Sequence, residues 1–409
     1  MKQESAMLFT NACIENKTTL QDIRIKNGLF LEIGTKLLPE QGETVTDLED
    51  RLVLPPFIES HVHLDTCLTA GEPVWNQSGT LFEGIECWAK RKSKLNKADI
   101  RERVIRAVRM YAAHGVQYIR THVDVTDPSL LALETMLELR EELKDFMEIQ
   151  IVAFPQEGIL SYPDGRRLMQ DAVRMGADAV GAIPHFEFTR EYSVESLNFA
   201  LQLAAEHKLL VDVHCDEIDD EASRGLETLA ARALELELYD RVTASHTTAM
   251  HSYNNAYVLR LMRLLKMSRI NFVANPLVNT HLQGRADSYP KRRGVTRVKE
   301  LLSEGINVSF GHDDICDPWY PMGNGNLRDV VFMGLHVCQM MGYQDIMDSY
   351  RFITTNAART LHVSDHYGLE PGKPANFIVL DAKNYYEALN CNSPVLLSYR
   401  NGNRINALQ

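Results

Sequence analysis

The stretch Leu52-Val53-Leu54-Pro55-Pro56-Phe57-Ile58-Glu59-Ser60-His61-Val62-His63 decides how the rest of the chain is read. Most of it is apolar, and it ends in two histidines two positions apart. Successive side chains on a strand alternate between faces, so His61 and His63 point the same way. Two imidazoles on one face at a strand end are half of a metal site. Two later histidines, His214 and His246, close further apolar segments, and Asp313 follows another. The remaining ligands that a metal needs therefore sit at equivalent places.

Eight short apolar segments read as strands: 52–62, 117–124, 149–156, 178–184, 209–214, 241–246, 270–277 and 306–311. Helical periodicity separates them. Lys97 to Ala113 carries Ile100, Val104, Val108 and Tyr111 on one face, and Ser193 to Glu206 carries Leu197, Leu201 and Ala204. From the second strand the repeat is about 30 residues, the size of a βαβ unit. The expected fold is therefore an α/β (β/α)8 barrel of the TIM type over 52–369. Residues 1–51 and 370–409 alternate short strand-like runs with turns and are expected to pair into one small β-domain. The Gly-, Pro- and Asn-containing stretch Thr69 to Gly84 reads as a long loop at the barrel mouth.

With 409 residues, 45% of them hydrophobic and 24% charged, the chain is long enough for one large core. A formal charge of −12 argues against a nucleic-acid or anionic-membrane surface, which needs clustered Lys and Arg. The basic run Lys291-Arg292-Arg293 leads into a helical segment near Arg297 and is read as a solvated helix start. Seven scattered cysteines without a C-x-x-C pair suit reduced thiols. Met1-Lys2-Gln3-Glu4 lacks an apolar leader, and no apolar run reaches the length of about 18 residues that a membrane span needs. A cytoplasmic enzyme acting on a small molecule is expected.

In such a barrel the C-terminal strand ends share one mouth, where catalytic residues collect. A metal on the barrel axis would touch His61, His63, His214 and Asp313. Three imidazoles and a carboxylate suit zinc or ferrous iron and leave a position open for chemistry. Glu217, three residues beyond His214, is placed for proton transfer, and His246 for holding an oxygen of the reacting group. The fourth strand ends Ala182-Ile183-Pro184 without the lysine that dinuclear hydrolases on this barrel carboxylate, so one metal is favoured. His185-Phe186-Glu187 spells H-x-E, yet no P-C-x-x-C follows, which excludes the other zinc deaminase fold.

Several motifs together resemble the amidohydrolase superfamily: Pro55 through Asp65, His214 with Glu217, Ser245-His246 and Gly311-His312-Asp313-Asp314. Within it, the motifs Trp75 through Leu81, Phe154-Pro155-Gln156-Glu157-Gly158, His214-Cys215-Asp216-Glu217 and Asp317-Pro318-Trp319-Tyr320 are similar to those of bacterial cytosine deaminases. That resemblance implies a mononuclear centre on His61, His63, His214 and Asp313, one divalent ion per subunit, with Fe2+ favoured and Zn2+ able to replace it. It implies Glu217, His246 and Asp313 as catalytic residues, and deamination of cytosine to uracil and ammonia in pyrimidine salvage. It implies Gln156, Asp314, Trp319, Leu81 and Phe154 as the substrate-binding set. Gln156 would read the pyrimidine through its amide, Trp319 would pack on the ring and Asp314 would lie near the C5 edge. A homo-oligomer, a hexamer in that family, is implied as well. Three alternatives remain: isoguanine or another amino-substituted base on the same centre, cyclic amide hydrolysis, and an inactive barrel that serves as a binding protein.

Overall fold

The computed structural model describes residues 6–405, so the Met1–Glu4 segment lies outside the described residues. Five strands come first: β1 (Met7–Ile14), β2 (Gln21–Lys26), β3 (Leu29–Gly34), β4 (Thr44–Asp47) and β5 (Leu52–Leu54). Eight more follow: β6 (Phe57–Val62), β7 (Val116–Asp124), β8 (Glu148–Phe154), β9 (Ala179–Ala182), β10 (Leu210–Cys215), β11 (Val242–His246), β12 (Asn271–Ala274) and β13 (Val308–Phe310). The last three are β14 (Phe377–Leu380), β15 (Val395–Arg400) and β16 (Asn403–Arg404).

Strands β6 to β13 form one all-parallel sheet in chain order, with helices between them. Most of their residues are buried, as expected for strands covered on both sides. The sheet closes through a bridge between Val62 and Asp313. The amide of His63 donates to the Asp313 carbonyl at 3.0 Å, and the amide of Asp313 donates to the His61 carbonyl at 2.8 Å. The chain is therefore a (β/α)8 barrel, and its closing seam runs between ligand candidates.

The segment read as one strand over 52–62 is two. Pro55-Pro56 interrupts it, because neither proline can donate to a ladder. Leu52–Leu54 instead pairs antiparallel with β14 and parallel with β1. Strands from both ends of the chain make a second sheet in the order β16-β15-β14-β5-β1-β2-β3, with β4 beside β1. Its core holds Phe9, Ile23, Phe30, Val53, Phe377 and Val379, and the Phe377 and Tyr399 rings stack at 4.9 Å.

Helix α1 (Leu81–Lys92) starts where the mouth loop was expected to continue to Gly84. The Thr80 hydroxyl caps it by accepting from the Glu83 amide, and the Glu83 carboxylate turns back to accept from the amides of Gln77 and Ser78. Helix α2 (Lys97–Ala113) buries Ile100, Val104, Val108 and Tyr111, the stripe read from the sequence. The Ser193 to Glu206 periodicity lies within the helix Arg190–His207. Lys291, Arg292 and Arg293 staple a loop rather than stand free: Arg292 pairs with Asp287 at 2.6 Å and Lys291 donates to the Gly284 carbonyl at 2.7 Å.

Candidate metal centre and active site

Three of the four expected ligands sit on strand ends, and the closing seam supplies the fourth. His61 lies in β6, His63 directly after it, His214 in β10, and Asp313 beyond β13. The Nε2 atoms of His61 and His63 lie 3.2 and 2.9 Å from Nε2 of His214. Asp313 Oδ1 lies 3.3 Å from Nε2 of His61 and 3.6 Å from Nε2 of His63. Nitrogen and oxygen ligands held tetrahedrally at about 2.1 Å from one ion stand about 3.4 Å apart, so these spacings fit a single ion. Donor atoms of His61, His214, His246 and Asp313 also lie within 4.8 Å of one another. His246 is turned to other work, however: its Nδ1 lies 3.0 Å from the Asn279 amide nitrogen and 3.3 Å from Oε1 of Glu217.

The electrostatics fit the same group. Burial, reinforced by neighbouring imidazoles, holds His61, His63 and His214 well below the usual histidine range, so their rings are neutral and free to ligate. Burial pushes Asp313 well above the carboxylate range, with the charges of Glu217, Asp317 and Glu59 adding to it. Asp314 rises for the same reason beside Asp317 and Asp313, and Glu217 is pushed up to about 8 by burial. A divalent cation among these groups would offset the clustering of buried acids and occupy the imidazole lone pairs.

Two of these positions carry backbone strain. Asp313 and His246 have φ of 71° and 66°, the left-handed region that residues other than glycine rarely enter. Such conformations persist where the surrounding structure enforces them, commonly at functional sites. The seam bonds described above hold Asp313, and Asn279 and Asn275 surround the His246 ring.

Gln156, Trp319, Leu81 and Asp314 line the cavity over this centre, with His63, His214, Glu217, His246, Asp313, Ile183 and Leu282. The void is narrow, ≈ 20 Å³, against ≈ 760 Å³ for an outer groove near His251 and Arg293. That outer groove holds none of the residues gathered here. Phe154 lies elsewhere: its ring stacks on His214 with centroids 4.0 Å apart and is not among the lining residues.

Around the ligand candidates lies a polar network of which the motif reading noted only Ser245. Nδ1 of His61 lies 2.9 Å from the Ser245 hydroxyl, which donates to Asp212 Oδ1 at 2.6 Å. Arg120 donates to Asp212 Oδ2 at 2.8 Å, and Nε2 of His122 lies 3.4 Å from Asp212 Oδ1. Glu59, two residues before His61 on β6, accepts from the amides of His61 and His312 and from the Tyr111 hydroxyl, fixing the strand just before the ligand candidates. A signal was present: Arg120, His122 and Asp124 alternate along one face of β7, and Asp212 and His214 alternate through the otherwise apolar β10, so polar residues repeat with period two.

A closed parallel barrel with three neutral imidazoles and one carboxylate converging at its C-terminal mouth has the layout of a metal-dependent hydrolase. The sequence profile of the amidohydrolase family matches residues 44–405, and the chain belongs to that family. It is similar to 5-methylcytosine deaminase from Klebsiella pneumoniae liganded with 5-fluorocytosine, at 51% identity and a TM-score of 0.96, covering 98% of this chain and 97% of the other. It is 30% identical to N-isopropylammelide isopropyl amidohydrolase of Pseudomonas sp. strain ADP, over 93% of this chain and 92% of that protein. A pterin deaminase from Rhizobium rhizogenes is 26% identical over 90% of this chain and 84% of its own length.

Proposed function

We propose that the protein hydrolytically deaminates cytosine, or its 5-methyl derivative, releasing ammonia and the corresponding uracil. One observation carries this reading. A buried acid, Glu217, and an amide reader, Gln156, share a narrow cavity with four converging metal donors. The 51% identity to a deaminase liganded with a cytosine analogue supports the base assignment.

His61, His63, His214 and Asp313 would hold one ion, iron by preference or zinc. When bound, the ion supplies hydroxide at neutral pH by lowering the pKa of water from 15.7 to about 7. Asp313 accepts the proton that water gives up. Glu217, kept protonated by burial, donates to ring N3 as oxygen adds to C4, which prevents charge from building on the ring. Glu217, now a carboxylate, takes the proton of the adduct's hydroxyl and passes it to the amine as the C4–N bond breaks, and the proton held by Asp313 returns to Glu217 to reset the site. His246, 3.3 Å from Glu217, steadies the oxygen of the tetrahedral adduct. The Gln156 amide both donates and accepts, as a carbonyl and a ring nitrogen require. Trp319 bounds the ring, and Asp314 lies by its C5 edge.

The pterin deaminase relative favours one second reading, a larger amino-substituted ring such as isoguanine. The 51% identity to a deaminase liganded with 5-fluorocytosine weighs against it. Free thiols at all seven cysteines support a reducing, cytoplasmic setting, and no helix among the described residues is long and apolar enough to cross a membrane. Family resemblance supports a homo-oligomer, and the division of labour proposed is catalysis by residues 52–369.

Metal-quantified protein should release ammonia from cytosine and leave dihydroorotate intact. Glu217→Gln should keep its metal and lose about 10²- to 10⁴-fold in kcat. A protein inert toward cytosine but active on isoguanine would overturn the substrate, and a Glu217→Gln variant with near-full kcat would remove that residue from the chemistry.

A further inference from the structure

We infer that Gly84, in the first turn of α1, is a specificity-determining position that acts by positioning Trp319. The inference rests on the nucleobase reading above. A Cβ at Gly84 would stand 2.4 Å from Cδ1, 2.6 Å from Nε1 and 2.9 Å from Cγ of the Trp319 indole. The ring therefore lies directly on the helix backbone, in space that any other residue would fill.

The glycine does not serve the helix. It occupies a helical position without positive φ, where glycine costs about 1 kcal/mol relative to alanine. Closeness to the indole is the remaining reason for it. The indole is hemmed in on its other sides. Its N–H donates to the Leu81 carbonyl at 3.2 Å, and the Trp319 backbone amide donates to Asp317 Oδ1 at 2.9 Å. Ile85, Trp88, Val278 and Leu282 pack around it in one buried cluster. The open direction is the cavity, where the ring faces His63 with centroids 6.5 Å apart. A side chain at position 84 thus drives the indole into the space for the base. The cavity beside the ring is narrow and lined by His63, His214 and Asp313, so the shift comes out of the space for the base. Gly84 sets the width available to the substrate ring, and the widest accepted base feels its loss most.

The test is steady-state kinetics of Gly84→Ala with cytosine, 5-methylcytosine and isoguanine, alongside metal content and thermal melting. The expected result is a loss of about 10-fold in kcat/KM for cytosine, carried by KM, with a larger loss for any wider base that the wild type accepts. Metal content stays unchanged. Measured against Trp319→Phe alone, adding Gly84→Ala costs less in cytosine KM than it does against the wild type, because the smaller ring leaves room for the methyl, and this pair serves as the folded comparison if the single substitution disturbs packing. A Gly84→Ala enzyme with wild-type constants, or a Gly84→Ala loss that is equal in the wild-type and Trp319→Phe backgrounds, overturns the inference alone. A wild type that deaminates none of the three bases overturns the nucleobase reading, and the inference with it.

Discussion

At the residue scale, His61, a proposed ligand, is held by a chain of hydrogen bonds ending in a charge. Asp212, fully buried and paired with Arg120, accepts the Ser245 hydroxyl proton, which leaves the Ser245 oxygen to accept from Nδ1 of His61. The proton of His61 is thereby placed on Nδ1, and Nε2 is bare toward the other ligands. Carboxylates that orient a ligating imidazole through its second nitrogen raise its basicity, and losing them costs about 10- to 100-fold in metal affinity. Ser245→Ala should weaken iron or zinc binding by that factor in competition with a chelator, at unchanged fold. Equal retention would show that the tautomer is fixed some other way. The convergence of His61, His63, His214 and Asp313 was legible, because histidines two apart at a strand end are rare enough to notice. Asp212 and His122 were not, since each is an ordinary polar residue until the barrel brings three strands together, and Ser245 was noticed only as the neighbour of His246.

At the element scale, α1 carries both Leu81 and Gly84 and is fastened by its last residue. Lys92 Nζ lies 3.0 Å from Asp124, 2.6 Å from Glu157 and 2.8 Å from the Thr126 carbonyl, and the Trp88 indole also donates to Asp124. Burial alone would raise Asp124, but Lys92, the Thr126 hydroxyl and Trp88 outweigh it and hold the carboxyl below its usual range. Lys92 moves up despite burial, for the reciprocal reason. A depressed carboxyl stabilises the fold above its unfolded pKa of about 3.9 and loses that contribution as pH falls through the folded value. A raised amine stabilises below about 10.4 and loses its contribution as pH rises through its own folded value. The fastening is therefore complete between about pH 4 and pH 10. Lys92→Met, which keeps the stem but leaves Asp124 unpaired, should cost about 3 kcal/mol in urea unfolding at pH 7, with the cost shrinking at acid pH. A loss that stays constant down to pH 3 would mean that packing, not charge, secures the helix. The helix itself was missed at its start, because Leu81 to Gly84 continue a Gly- and Pro-rich stretch and the Thr80 cap is visible only once Glu83 turns back.

At the scale of the whole molecule, the two chain ends meet in one sheet whose central strands are β14, β5 and β1. The alternating runs at both ends made this pairing legible. What was not legible was that Leu52–Leu54 belongs with them, since an apolar strand of the barrel and an apolar strand of the small sheet look alike until Pro55-Pro56 is given its hydrogen-bonding consequence. Removing residues 370–409 would strip Phe377 and Val379 from Phe9, Phe30 and Val53 and leave an apolar face open. Such a truncation should be aggregated or insoluble by size-exclusion chromatography. A monodisperse and active product would make the small sheet dispensable.

The seam between Val62 and Asp313 has a consequence for how the protein is made. A ribosome delivers His61 and His63 early and Asp313 only after every intervening strand, so a partly synthesised chain carries imidazoles with no carboxylate to complete the centre. The ion can be fully gripped only when the last strand docks against the first. On the proposed ligand set, metal uptake would be a late event in biogenesis, and a bound ion would reward the finished circle over every shorter product.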